Sequence, residues 1–208
     1  MEEHFVQMTY SKRVFDFTCA LILTVLLSPA LLVVSVLILC LDGRPVFYVS
    51  ERMQTPTRGF QLLKFRTMKP VSQDAGVSGG DKSGRITRTG AFLRGKRIDE
   101  IPQLWNVLKG DISFVGPRPP LRQYVERFPE VYGPLLRSRP GVTGLASVYF
   151  SKHEEHLLAS TQDSEETDAI YCRQCIPRKA KLDMIYQSKR SLCFDCLIML
   201  HTVFKRRR

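Results

Sequence analysis

The stretch FTCALILTVLLSPALLVVSVLILCL occupies residues 17–41 and contains no charged side chain. As a helix, these residues would extend about 37 Å, against a bilayer hydrocarbon core of about 30 Å. The run is too long for a cleavable signal peptide, and it lacks a small-residue cleavage site. It therefore predicts a membrane segment that persists in the mature protein.

Ser28 and Pro29 interrupt this segment near its middle. The proline lacks the amide that would bond the Val25 carbonyl, so we expect a kink, with the Ser28 hydroxyl available to bond a freed carbonyl. Each half of the segment would be about 18 Å long as a helix, which is too short to cross the bilayer alone.

Basic residues flank the apolar run on both sides, with Lys12 and Arg13 before it and Arg44 after it. Positive residues prefer the cytoplasmic face, so both ends are expected there. The sequence thus favours a re-entrant helix hairpin within an anchoring segment, residues 1–44, followed by a cytoplasmic-face domain, residues 45–208. An ordinary kinked transmembrane helix is the alternative, since such helices tolerate proline.

The composition limits the remaining possibilities. A chain of 208 residues has the length of one domain, and its formal net charge of +11 indicates an anionic partner: nucleic acid, anionic lipid or a phosphorylated substrate. Hydrophobic residues make up 44% of the chain, which excludes a wholly disordered basic tail. Six cysteines do not amount to a disulfide scaffold.

The rest of the chain predicts an α+β fold that is mostly helical. Residues 46–49 and 60–65 have the composition of two short strands, joined as a small β-hairpin. Residues 71–84 are rich in glycine, serine and aspartate and predict a mobile loop. Apolar residues then recur at helical spacing from Ile98 to Leu108, with Pro102 as the natural start of the helix.

Two further segments follow. Residues 151–168 are acidic and are expected to form solvated surface. The tail, residues 188–208, predicts an amphipathic helix that ends in Lys205–Arg208. Its polar stripe consists of Ser188, Ser191, Asp195, Thr202 and Lys205. An interfacial helix on an anionic membrane surface fits this pattern, and a core-packed terminal helix with a solvated basic tail is the alternative.

The adjacent carboxylates Asp99 and Glu100 are the first candidate for chemistry. They lie at the predicted start of a helix and follow a basic segment. Helix amides and cations favour ionised carboxylates, which suits a nucleophile or a metal ligand. Simple helix capping is the alternative.

Several cations could accompany this pair. Arg118 lies in the stiff Gly-Pro-Arg-Pro-Pro segment, residues 116–120, which pre-positions its guanidinium for a phosphate. Further cations of this kind are Lys64, Arg66, Arg85, Arg88 and Arg139. A phosphate-rich ligand is the economical interpretation of so many cations.

The chain resembles the bacterial sugar transferases, the monotopic phosphoglycosyl transferases, in a series of motifs. These occur in the family's order at residues 12–16 (KRVFD), 28–29 (SP), 64–68 (KFRTM), 85–90 (RITRTG), 93–94 (LR), 99–111 (DEIPQLWNVLKGD), 116–119 (GPRP) and 139–146 (RPGVTGLA). The match is dense from Tyr10 to Ala146 and weak from Lys181 to Phe204. The family's Ser-Pro break also favours the re-entrant hairpin over the spanning helix.

The resemblance implies an enzyme of the bacterial inner membrane, monotopic, with its catalytic domain on the cytoplasmic face. It would transfer a sugar 1-phosphate from a UDP-sugar to polyprenyl phosphate and release UMP, as the initiating step of glycoconjugate or exopolysaccharide synthesis. Asp99 would be the nucleophile of a phosphosugar-aspartyl intermediate, and Asp99 and Glu100 would hold Mg²⁺. Substrate phosphate would meet residues from several motifs, namely Lys64, Arg66, Arg85, Arg88, Arg94, Pro117, Arg118, Pro119 and Arg139.

The chain also departs from the family pattern. Arg97-Ile98 stands where the family commonly has serine and leucine, which adds a cation beside the carboxylate pair. Gln54 and Ser147 replace a common glycine and a common glutamine, and residues 149–178 form a longer segment than in the most compact members. We expect these differences to affect sugar specificity more than the reaction.

The cysteine spacing allows another hypothesis. Cys172 and Cys175 are separated from Cys193 and Cys196 by 17 residues, the spacing of a zinc ribbon. Reduced thiols that are buried or face lipid are the alternative, because the second pair lies in an apolar helical pattern. A membrane-tethered nucleic-acid-binding protein and a non-catalytic scaffold are the rival functions. We expect no nucleic-acid partner, because no RNA-binding aromatic motif is present. The sequence is compatible with a homo-oligomer and with a monomer.

Overall fold

The computed structural model describes residues 9–71, 77 and 79–204. The α-helices are α1 (Tyr10–Leu41), α2 (Arg88–Lys96), α3 (Leu104–Lys109), α4 (Arg122–Arg127), α5 (Pro129–Leu135), α6 (Leu145–Ala159), α7 (Ser164–Ile170), α8 (Ile176–Lys189) and α9 (Leu192–Phe204). The strands are β1 (Phe47–Met53), β2 (Gly59–Phe65), β3 (Ser113–Val115) and β4 (Gly141–Thr143). The mostly helical α+β fold is thus confirmed.

Two small sheets lie among the helices. Strands β1 and β2 pair antiparallel, with Phe47 opposite Phe65 and Met53 opposite Gly59, so the predicted hairpin is confirmed. Its first strand is longer than predicted, and its loop is correspondingly shorter. Strands β3 and β4 pair in parallel, with Ser113 opposite Gly141. This second sheet was not predicted from the sequence, because three-residue strands carry too little alternation to recognise.

Helix α1 contains the apolar run and continues through Pro29. The Ser28 hydroxyl donates a hydrogen bond of 2.8 Å to the Val25 carbonyl, so the predicted compensation for the proline is confirmed. In the described part of the chain, α1 is the one helix that is long and apolar enough to cross a membrane, judged by length and composition. Its path through a bilayer stays a prediction.

Both ends of α1 are held by the same domain. Near the N-terminal end, Arg13 donates hydrogen bonds of 2.7 Å to the carbonyls of Val107 and Leu108 in α3. At the C-terminal end, Arg66 donates bonds of 2.6 Å to the carbonyls of Asp42 and Gly43. The middle of the helix instead exposes apolar side chains, among them Leu21, Ile22, Val25, Leu26, Leu32, Val33, Val36 and Leu37.

Three apolar clusters stabilise the domain. One joins Ala20 of α1 to β2, α3 and Ile198 of α9, and a second, smaller one joins Ile38 of α1 to Phe65 and Leu93. The third contains no α1 residue among those described, and is built around Met53, Tyr124, Leu136, Phe150 and Tyr171. The two α1 clusters place the ends of that helix against the elements that carry the candidate site.

Helix boundaries and loops differ in detail from the predictions. Residues 98–103 form a 3-10 helix, and the α-helix starts at Leu104 rather than at Pro102. Much of the predicted mobile loop, at residues 72–76 and 78, lies outside the described residues, and Gly80–Arg85 forms a 3-10 helix. Most acidic side chains of residues 151–168 are exposed, as expected, but this segment is formed largely by α6 and α7, and it also buries Thr161, between the two helices, and Thr167.

Helix α9 packs part of the predicted polar stripe against the domain, as in the core-packed alternative for the tail. Asp195 of this stripe is buried and lies 2.5 Å from the Lys12 ammonium, and Thr202 bonds Thr143 at 2.8 Å. Ser188 and Ser191 of the stripe are exposed. The exposed side chains include Leu197, Leu200, Val203 and Phe204. Residues 205–208, the predicted basic end, lie outside the described residues.

Candidate active site

A short turn presents the two carboxylates. Helix α2 ends at Arg97, whose left-handed backbone (φ 56°, ψ 19°) turns the chain into the 3-10 helix Ile98–Gln103. Ile98 packs in one apolar cluster and Ile101 in another. Since both apolar side chains are anchored, Asp99 and Glu100 are held between α2 and the β-hairpin.

Strand β2 supplies one cation to this turn. Phe60, Leu62 and Lys64 alternate along the strand and therefore share a face. The first two are buried in the core, so Lys64 points the same way at the end of that face. Its ammonium reaches Glu100 Oε1 at 3.2 Å.

The loop after β3 supplies a second cation. Gly116 lies so close to the neighbouring strand that a Cβ atom there would meet the Arg139 carbonyl oxygen at 2.3 Å. The Pro117 carbonyl accepts a hydrogen bond of 2.8 Å from the Gly141 amide. This close packing fixes the Pro-Arg-Pro segment, and Arg118 Nη2 lies 2.7 Å from Glu100 Oε1.

Glu100 thus meets three cations at one oxygen. Besides Lys64 and Arg118, Arg97 Nη1 lies 3.2 Å from Oε1. Burial alone would raise the pKa of Glu100, but the charges of Arg118, Lys64 and Arg97 hold it well below its usual range. Burial lowers the pKa of Lys64 to about 8, although Glu100 opposes that shift. Glu100 is therefore an ionised counter-ion that organises the cations around it.

Asp99 lies in a different environment. It is 7% exposed, and its Oδ1 atom is buried with no hydrogen-bond partner among the described residues. Burial and the negative charge of Glu100 raise the pKa of Asp99, although the charges of Lys64, Arg94 and Arg97 oppose the shift. The expectation that helix amides and cations would favour both ionised carboxylates therefore fits Glu100 alone, because burial dominates at Asp99.

The unpaired oxygen of Asp99 suits either bond formation or metal coordination. A buried acceptor without a donor destabilises the folded protein unless a ligand supplies the missing partner. Mg²⁺ takes oxygen ligands and often uses only one or two carboxylates together with substrate phosphates. No group of three or more His, Cys, Asp or Glu residues that could hold a metal occurs in the described ranges. The Asp99–Glu100 pair therefore fits Mg²⁺ only as a site shared with a phosphorylated ligand.

Comparison with known proteins identifies the family. A family model of bacterial sugar transferases matches residues 7–207. The chain belongs to the bacterial sugar transferase family.

Relatives of this sugar transferase carry related names. A UDP-N-acetylgalactosamine-undecaprenyl-phosphate N-acetylgalactosaminephosphotransferase of Aeromonas hydrophila is 35% identical over 93% of the chain and 43% of its own length. Two UDP-glucose:undecaprenyl-phosphate glucose-1-phosphate transferases are also similar. The Caulobacter vibrioides protein is 41% identical over 66% of the chain and 53% of its own length. The Escherichia coli protein is 31% identical over 93% of the chain and 39% of its own length. The chain thus spans roughly two fifths to half of these relatives.

Some of the other predicted phosphate-binding residues of this sugar transferase lie beside the carboxylate pair. Arg94 lies close enough to Asp99 for its charge to oppose the rise in the pKa of that carboxyl, and its Nε donates to Thr67 Oγ1 at 2.9 Å. Pro117 and Pro119 flank Arg118, and Pro119 lines a small cavity beside it. These residues join Lys64 and Arg118 at the site.

The remaining predicted cations lie elsewhere. Arg66 caps the carbonyls that follow α1, and Arg139 Nη1 donates a 2.6 Å bond to the Gly110 carbonyl after α3. Arg88 is exposed at the start of α2, and Arg85 bonds the Lys69 carbonyl at 3.4 Å. Arg66 and Arg139 thus stabilise chain segments. Contact between substrate and these four residues stays a prediction.

Three polar residues beside the site were not predicted from the sequence: the partly buried Arg52 and the buried Gln103 and Asn106. Arg52 and Gln103 line the cavity beside Arg118. Asn106 makes two hydrogen bonds to β2: it accepts one of 3.0 Å from the Leu63 amide and donates one of 2.7 Å to the Gln61 carbonyl. Gln103 could have been found, because it lies four residues after Asp99 in the same motif, in what the structure shows to be one short 3-10 helix. Arg52 could not, since its proximity to Arg118 depends on the tertiary fold.

The cysteines do not form the proposed zinc ribbon in the described structure. Cys175 is buried in the third apolar cluster, whereas Cys193 and Cys196 are exposed on α9. Cys172 lies 3.7 Å from Asp168 Oδ2.

Gln54, one of the departures from the family pattern, donates to the carbonyls of Gly110 and Asp111, which gives it a structural role.

Proposed function

We propose that this sugar transferase moves a sugar 1-phosphate from a UDP-sugar to polyprenyl phosphate, with release of UMP, to initiate glycoconjugate or exopolysaccharide assembly. The observation that carries the proposal is Asp99: a buried carboxylate with an unpaired oxygen beside a counter-ion that gathers three cations. The names of the relatives, which act between UDP-sugars and undecaprenyl phosphate, support the substrate classes.

The first step is a displacement at the β-phosphorus of the UDP-sugar. An Asp99 carboxylate oxygen forms a bond to this phosphorus, and the bond to the bridging oxygen breaks. UMP leaves with the electron pair of that bond, and the sugar phosphate stays on Asp99. Burial, which raises the pKa of Asp99, also leaves its anion poorly solvated and so more nucleophilic.

The second step regenerates the enzyme. A phosphate oxygen of the polyprenyl phosphate forms a bond to the same phosphorus, and the Asp99 carboxylate leaves with its electron pair. The products are polyprenyl diphosphate sugar and free enzyme. Two displacements at one site let a single domain serve both phosphorylated substrates in turn.

The cations have separate tasks in these steps. Arg118 offers a planar fork of donors to phosphate oxygens, and Lys64 offers a compact charge beside it. Glu100 holds both in place through Oε1 before substrate arrives. We infer that Asp99 and Glu100, together with substrate phosphate, would hold Mg²⁺. When bound, this ion would offset negative charge on the diphosphate.

We further infer that α1 is re-entrant and that the domain lies on the cytoplasmic face of the inner membrane. Support comes from the two ends of α1, which bond the same domain through Arg13 and Arg66. A straight helix of this length would be about 48 Å long, longer than the hydrocarbon core. The exposed apolar faces of α1 and α9 would then enter the lipid, and the surrounding basic residues would face anionic headgroups.

UMP release tests the proposed activity. Detergent-solubilised protein with Mg²⁺ and polyprenyl phosphate is supplied with a panel that includes UDP-N-acetylgalactosamine and UDP-glucose. We expect at least one donor to yield UMP, and Asp99→Asn to abolish the release because an amide is a poor nucleophile. Glu126→Gln, at an exposed helix position, is the matched control and should retain activity. Full turnover by Asp99→Asn would contradict the proposal.

A further inference from the structure

A small cavity adjoins the carboxylate pair. Its lining includes Arg52, Lys64, Gln103 and Arg118, which are three cations and one amide, and no carboxylate belongs to its lining. Glu100, which lies behind Lys64 and Arg118, offsets part of their charge. Such a concentration of hydrogen-bond donors in a concave site is suited to an oxyanion.

Gln103 is the most informative residue of this cavity. It is 3% exposed, and its Nε2 atom has no hydrogen-bond partner in the described part of the chain. A buried amide that loses water without gaining an acceptor destabilises the fold, so such groups are rare unless a ligand satisfies them. Asp99, four residues earlier in the same 3-10 helix, has a buried acceptor oxygen without a donor.

Arg52 is a second donor without an acidic partner. Its Nη1 atom lies 3.4 Å from the Pro119 carbonyl and its Nε 3.5 Å from Ser50 Oγ, both long contacts. Within the described residues, no carboxylate lies within salt-bridge distance of Arg52. Its guanidinium therefore adds to the positive charge that Arg118 brings to the cavity.

We propose that Gln103 and Arg52 form an oxyanion pocket that binds the non-bridging oxygens of the phosphoryl group attacked by Asp99. The inference rests on the proposed function and adds two residues to it. Gln103 Nε2 would donate to one oxygen and the Arg52 guanidinium to another. Both residues bind and position the phosphoryl group, while Asp99 makes the bond.

Binding of UDP tests the pocket without requiring turnover. Titration calorimetry with UDP and Mg²⁺ compares the wild type with Gln103→Met and Arg52→Gln. Each variant loses one donor to a charged acceptor, so we expect about tenfold weaker UDP binding. Arg58→Gln, an exposed position on the same hairpin, is the control and should bind UDP like the wild type.

Thermal unfolding separates this role from a structural one. Met fills nearly the same volume as Gln and has no unpaired donor, so Gln103→Met should melt at the same temperature as the wild type or higher. The proposal is overturned if UDP affinity is unchanged, or if Gln103→Met loses stability and affinity together. UDP binding that depends on Gln103 without UMP release from any UDP-sugar would instead count against the proposed function alone.

Discussion

Arg118 Nη2 lies 2.7 Å from Glu100 Oε1, the shortest of the three contacts that this carboxylate oxygen makes with cations. The two residues come from different segments, one from the loop after β3 and the other from the 3-10 turn after α2. Their pairing joins these segments directly at the site. Glu100 also holds the pKa of Arg118 above its usual range, so the guanidinium stays charged.

Replacing Arg118 with lysine tests whether the planar geometry of the guanidinium matters in addition to its positive charge. Arg118→Lys keeps the charge but loses the planar fork, so we expect kcat/KM for UMP release to fall by about 10²-fold. Arg122→Lys is the matched control, because Arg122 also lies 2.7 Å from a carboxylate, that of Glu51, but in an exposed pair. Its UMP release should stay within about twofold of the wild type. Equal losses in both variants would contradict a specific role for Arg118.

The left-handed backbone of Arg97 gives a prediction about stability. A left-handed conformation costs a residue with a Cβ atom about 1 kcal/mol or more, and glycine does not bear this cost. Arg97→Gly and Arg97→Ala both lose the contact with Glu100, but the glycine variant should be more stable by about 1 kcal/mol. Unfolding curves in the same detergent measure the difference. An alanine variant at least as stable as the glycine variant would show that the turn is not strained.

Asp183 predicts a pH dependence of stability. Burial raises its pKa to about 7, and its Oδ1 atom accepts a 3.2 Å bond from the Ala146 amide. Between about pH 4 and pH 7 the folded state therefore holds a proton that the unfolded state has lost, so stability falls as pH rises through this window.

The variant Asp183→Asn isolates this effect. The amide oxygen keeps an acceptor for Ala146 and does not ionise, so the variant should lose that fall and be more stable than the wild type at pH 8. Glu165→Gln changes the net charge equally at an exposed position and should keep the wild-type slope. Melting temperatures at pH 5 to 8 provide the comparison, and parallel slopes for wild type and Asp183→Asn would refute the assignment.

The proposed re-entrant path of α1 can be tested by labelling. In a cysteine-free background that still releases UMP, Ser11→Cys and Arg44→Cys place a thiol at each exposed end of the helix. A membrane-impermeant maleimide should label both positions in inverted vesicles and neither in sealed spheroplasts, because both ends contact one domain, which we infer to be cytoplasmic. Labelling of the two positions from opposite faces would establish a spanning helix instead.

Local features of the fold were predictable from the sequence. The uncharged run of α1, the hairpin and the hydrogen bond between Ser28 and Val25 follow from hydrophobicity, alternation and the missing proline amide, all of which act over a few residues. The proximity of Arg97 to Glu100 was predictable for the same reason.

Long-range packing decided what the sequence left open. Lys64 and Arg66 are two residues apart, but strand β2 ends between them, at Phe65. Lys64 therefore reaches Glu100, whereas Arg66 bonds the Asp42 carbonyl at the C-terminal end of α1. Asp195 of α9 faces the domain because it meets Lys12, a partner 183 residues away. The upward shift in the pKa of Asp99 depends on burial, which no local pattern encodes.

Bond formation between Asp99 and the sugar phosphate can be observed in a rapid-quench experiment without polyprenyl phosphate. We expect a burst of UMP stoichiometric with enzyme, and a mass increase of one sugar phosphate on the peptide that contains Asp99. Asp99→Asn should show neither. UMP release that requires the lipid acceptor, with no adduct on the protein, would show that Asp99 does not form this bond.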